Sequence, residues 1–94
     1  MRLSREQKQA LNTALQGVTG EIYLFGSRIN TAARGGDIDI LILTDTDPYE
    51  LSKQVKARFT MECDERIDVV VMNPNALTQQ NIAFLQTIEK ERIQ

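Results

Sequence analysis

The segment Gly36–Leu43, GDIDILIL, constrains the fold more than any other part of this chain. Ile38–Leu43 is apolar apart from Asp39, rich in β-branched residues and too short for a helix of ordinary length. Such a run predicts a central strand with both faces covered. A central strand needs neighbours, and two further segments supply them. Glu21–Phe25 (EIYLF) is bounded by Gly20 and Gly26, and Arg66–Met72 carries IDVVVM and is stopped by Asn73-Pro74-Asn75.

The segments between read as helices. Ser4 followed by Gln7 forms a capping-box pattern, and Leu11, Ala14, Leu15 and Val18 recur at helical spacing, predicting a helix over about 5–16 that ends near Gly17. Asp47-Pro48 opens a second helix, with Asp47 as N-cap and Leu51, Val55, Phe59 and Cys63 at steps of four, to about residue 62. A third is predicted from about Thr78 to Arg92, with Ile82, Leu85 and Ile88 on one side. Phe84 falls on a different side from Leu85, more apolar surface than one packing face requires; an interface with a second copy or a helical partner is expected there, with the first helix as the alternative. The order predicts one domain over residues 1–94 of the α/β (α+β) class, a small mixed sheet packed with helices.

Composition narrows the chemistry. The chain has 94 residues and no histidine, so Ser-His-Asp, Cys-His and histidine-metal sites cannot be built from it. A single cysteine, Cys63, excludes an internal disulfide and reads as a small core residue. The net charge of −2 argues against sequence-independent binding to nucleic acid. No apolar stretch is long enough for a bilayer, and MRLSREQKQ lacks an apolar signal region, so no membrane partner and a cytoplasmic location are expected.

What remains is carboxylates, cations, hydroxyls and backbone amides, and they concentrate around the central strand. Asp37 and Asp39 alternate onto one side, about 6.5–7 Å apart along the strand, while Ile38, Ile40 and Ile42 turn into the core. Two carboxylates so placed repel unless a cation neutralises them, and oxygen-only ligands select a hard ion, Mg²⁺ or Mn²⁺. Asp68 stands in the same relation to its apolar run, so neighbouring strands would bring three carboxylates together. Such a group suits two divalent ions and in-line phosphoryl transfer. Gly26-Ser27 directly after a strand allows a phosphate close to the backbone and offers a hydroxyl and an amide. Arg28 and Arg34 lie in the spacer, where each reads equally as a phosphate contact or a solvated loop charge, and Gly35-Gly36 turns the chain back into the next strand.

These residues carry a resemblance. Phe25-Gly26-Ser27-Arg28, Gly36-Asp37-Ile38-Asp39-Ile40 and Ile67-Asp68-Val69-Val70 resemble the polymerase-β type nucleotidyltransferase superfamily, and its minimal nucleotidyltransferases above all. The resemblance runs over about residues 21–72 and implies a polymerase-β palm-like fold. It implies that Gly26 and Ser27, with Arg28, hold a nucleoside triphosphate, ATP by family preference. Asp37 and Asp39 would then bind both Mg²⁺ ions, and Asp68 would bind one and help to deprotonate the acceptor. It further implies a helical partner of the HEPN type, in a two-part transferase or as the toxin that an antitoxin adenylylates. The acceptor stays open between a tyrosine on the partner, an RNA end and a small molecule.

Blander readings stand beside these. Asp45 and Asp47 form a second Asp-x-Asp, but a loop and an N-cap account for them. Asp64 and Glu65 compete with Asp68 for the third carboxylate from a loop, and Lys53, Lys56 and Arg58 read as a solvated helix face. The rival from another class is a non-catalytic, nucleotide-binding protein that neutralises a helical partner by contact alone.

Overall fold

The computed structural model describes residues 3–26 and 37–94. Ser27, Arg28, Arg34, Gly35 and Gly36, which the sequence singles out, lie outside the described residues. The elements run α1 (Arg5–Ala14), β1 (Glu21–Phe25), β2 (Ile38–Leu43), α2 (Pro48–Glu62), β3 (Ile67–Met72), α3 (Gln79–Thr87) and β4 (Lys90–Arg92). The four strands form one mixed sheet in the order β3-β2-β1-β4. β1 is antiparallel to β2 and to β4, while β2 and β3 are parallel. The parallel pair follows from α2, because a strand returning in the same direction needs a crossover and the helix provides it.

Local chemistry sets the helix starts. The Ser4 hydroxyl accepts from the Gln7 backbone N–H, and the Gln7 side chain accepts in return from the Ser4 N–H, closing the capping box before α1. Asp47 accepts from the Tyr49 and Glu50 N–H groups at 2.9 and 3.1 Å, with Pro48 just behind it. Thr78 and Asn81 form a second capping box that opens α3. α1 stops at Ala14, two residues short of the predicted end, and Leu15 caps it.

Alternation along the strands divides the core in two. Ile22 and Leu24 of β1, with Ile38, Ile40 and Ile42 of β2, face α1 and α2 and meet Leu11, Ala14, Leu51, Val55, Phe59 and Cys63. On the other face Phe25, Leu41 and Met72 pack under α3. β2 therefore has both faces covered, as its apolar run predicts.

The last seven residues depart from the prediction. The helix expected to reach Arg92 ends at Thr87, Ile88 turns extended (ψ 147°), and Lys90–Arg92 joins the sheet beside β1. Ile93 follows and donates its N–H to the Ile22 carbonyl at 2.8 Å. Phe84 and Leu85 do not point to different sides as expected. Both pack on the second cluster with Ile88, and the Phe84 ring meets Phe25 edge-on at 5.5 Å. Ile82 is the residue left out, at 44% exposed. Arg58 is also not simply solvated, since it donates to the Gln16 carbonyl at the end of α1.

Candidate active site

The carboxylates gather at one end of the sheet, on the α3 face. β2 and β3 are parallel and in register, with Ile38 beside Ile67 and Asp39 directly beside Asp68. Neighbouring strands lie about 4.8 Å apart, so these two side chains project together from adjacent positions. The ladder continues one step further, where the Ile38 N–H donates to the Arg66 carbonyl at 3.0 Å. Asp37 and Arg66 thus form the next pair along the two strands, and the Arg66 guanidinium lies 3.8 Å from Asp37 Oδ1. Three carboxylates and one arginine make a four-cornered group: Asp39 on β2 and Asp68 on β3, with Asp37 and Arg66 just ahead of those strands.

Gly26 borders the group from the β1 side. Phe25 pairs with Asp39 across the antiparallel ladder, and Gly26 follows with φ +77°, a left-handed conformation that favours glycine. A Cβ built on Gly26 would meet Oδ2 of Asp39. The glycine therefore makes room for a carboxylate of the same chain, a reason the sequence reading did not contain.

The electrostatics follow from the crowding. Asp39 is half-buried, and its carboxyl is held above the ordinary value of 3.8, first by burial and then by the charges of Asp68 and Asp37. An acid in that setting is stabilised by an added cation. The donor set is all oxygen, which fits a hard divalent ion rather than zinc or copper. Among the described residues, no three acidic, histidine or cysteine side chains are gathered closely enough to grip one ion. Asp39 and Asp68 adjoin, while Asp37 is engaged with Arg66.

The rest of the predicted set sorts clearly. Asp47 is the N-cap of α2, and Asp45 is exposed beyond the far end of β2. Asp64 and Glu65 are exposed ahead of β3, outside the Asp39–Asp68 row. Arg66 had no role in the sequence reading beyond starting a strand. The signal was present, since Arg66-Ile67-Asp68 alternates as Asp37-Ile38-Asp39 does and places the arginine on the aspartates' face. Lys90 was hidden by the helix prediction. It lies in the same cross-sheet row, Asp68–Asp39–Phe25–Lys90, but its ammonium sits 5.4 Å over the Tyr23 ring, one alternation away from Asp39 along β1. A cleft of about 330 Å³ between α1 and α2, lined by Thr13, Gln16, Arg58, Met61 and Glu62, lies on the opposite side of the sheet and contains none of the aspartates.

No curated protein matches the chain. The sequence model of a family described as "Polymerase beta, Nucleotidyltransferase" matches residues 12–92, from the last turn of α1 through β4. The match spans every strand and so takes in the whole carboxylate-bearing sheet, whose mixed α+β architecture agrees with a nucleotidyltransferase fold. The chain belongs to the polymerase beta nucleotidyltransferase family.

Proposed function

We propose that this chain transfers a nucleoside monophosphate, AMP from ATP, onto a hydroxyl group, with Asp37, Asp39 and Asp68 as its catalytic residues. The observation that carries the proposal is the register of β2 and β3, which sets Asp39 beside Asp68 with Asp37 one alternation away. Family membership supports nucleotidyl transfer in general; the donor, the acceptor and the residue roles are this reading's own.

Asp37, Asp39 and Asp68 would hold two Mg²⁺ ions, which Mn²⁺ can replace. When bound, such ions neutralise the triphosphate and lower the pKa of the attacking hydroxyl. Gly26, which borders the row from the β1 side, would hold the triphosphate together with Ser27 and Arg28. Asp68, at the β3 edge and exposed, faces the acceptor and takes up its hydroxyl proton. The acceptor oxygen bonds to the α-phosphorus on one side as the bond to the bridging oxygen breaks on the other, and pyrophosphate leaves.

Among the described residues nothing covers the row of carboxylates at the end of the sheet, and a well-binding pocket normally buries most of its ligand. A helical protein of the HEPN type, carrying the acceptor hydroxyl, would complete the enclosure, in an antitoxin–toxin pair or a two-part transferase. The test combines the purified chain, Mg²⁺, each α-labelled triphosphate and the protein encoded beside it, and asks where label becomes covalent. Label on the partner, from ATP in preference to the other triphosphates, is the expected result. Tight partner binding with no label from any triphosphate would favour the contact-only reading instead.

A further inference from the structure

Arg66 is the one member of the four-cornered group for which the proposed reaction has no use. Its backbone is nevertheless held next to the ladder: the Ile38 N–H donates to the Arg66 carbonyl, and alternation from Asp68 sets its face. Its guanidinium lies 3.8 Å from Asp37 Oδ1, so a divalent ion binding that oxygen would compete with it. The arginine side chain is 86% exposed and the aspartate side chain 37%, so the pair is held loosely enough to be exchanged.

We propose that Arg66 is a resident counter-ion of the site, which holds Asp37 until a divalent cation displaces it. The inference rests on the metal-binding reading of the aspartates given above. Two things follow from the placement. Without a metal, Arg66 relieves the repulsion at Asp37, while Asp39, which has no such partner among the described residues, carries the strain that burial and its neighbours impose. With a metal, the guanidinium must leave Asp37 and stays close to an ion of like charge, so ion binding works against it. The charge therefore sets the metal concentration at which the site fills, and it keeps Asp37 occupied between turnovers.

The test is Mn²⁺ affinity, measured by titration calorimetry or by paramagnetic resonance of free Mn²⁺, on the whole chain without nucleotide. Arg66→Gln should bind Mn²⁺ about 2- to 5-fold more tightly than wild type, the range expected on removing a competing exposed ion pair. Arg66→Lys, which keeps the charge, should stay near wild type. A Coulomb effect that does not pass through Asp37 is separated by the Asp37→Asn background, where the gain from Arg66→Gln should shrink at least by half. Equal or weaker Mn²⁺ binding by Arg66→Gln would overturn the proposal, as would an undiminished gain in the Asp37→Asn background. If wild type binds Mn²⁺ and Asp39→Asn loses it, the metal reading stands whatever Arg66 does. If wild type binds none, that reading and this inference fall together.

Discussion

At the residue scale, the three aspartates were readable because a strand's alternation needs no tertiary information. Asp37-x-Asp39 places two carboxylates on one face whatever the sheet order, and Asp68 joins them once β3 lies beside β2. Arg66 was not readable in the same way, since a charge before a strand is commonplace and only the register shows that it faces Asp37. Asp39 gives the sharpest test. Its carboxyl is held above its ordinary value by burial and by Asp68 and Asp37, so the ionised form is disfavoured in the folded chain. Stability from this group rises as pH falls through the folded-state pKa and levels off below the ordinary carboxylate value. Metal-free Asp39→Asn should therefore resist urea better than wild type at pH 7, and the advantage should fade as the pH approaches 4. Urea titrations at pH 7, 5 and 4 read this directly, and an unchanged or inverted difference would contradict the crowding. The same substitution should lower transfer by at least about 100-fold, the scale seen when one electrostatic group is removed from a preorganised site.

Gly26 makes a second residue-scale prediction. Gly26→Ala has to adopt φ +77° and place a Cβ against the Asp39 carboxylate. The backbone alone should cost about 1–2 kcal/mol, with the contact adding to it. Adding Asp39→Ala should recover part of the loss, because the atom in the way is gone. Chemical denaturation of the single and double variants measures the coupling, and strict additivity would show that the two residues do not meet.

At the scale of elements, the helix starts, the first three strands and α2 follow from local signals: caps, glycines, Pro48 and apolar spacing. β4 does not. Lys90-Glu91-Arg92 has no strand preference, and Ile88 continues the Leu85 spacing, so local pattern favours more helix. What turns the segment into a strand is the open edge of β1, a partner more than sixty residues earlier, reinforced by Ile93 packing on the main core. Nonlocal pairing of this kind overrides weak propensity. Ile93→Ala should then destabilise the fold by about 1–2 kcal/mol, less than a fully buried isoleucine would. A silent substitution in thermal and urea unfolding would argue that the chain end does not dock on β1.

The whole molecule is lopsided. Among the described residues, one face of the sheet carries α1 and α2 with most of the buried side chains, and the other carries only α3, which has no buried residue of its own. The aspartates share that thin face, so the site stands under the weakest layer. Hydrogen exchange should find the α3 amides opening well before those of α1 and α2, and similar protection in all three helices would contradict the description.

The most direct measurement follows two labels at once. Wild type and Asp39→Asn are incubated with Mg²⁺, the partner and ATP labelled at either the α- or the γ-phosphate. The account predicts that wild type makes the α-label covalent and releases the γ-label as pyrophosphate, and that Asp39→Asn does neither. Transfer of the γ-label, or undiminished α-transfer by Asp39→Asn, would contradict it.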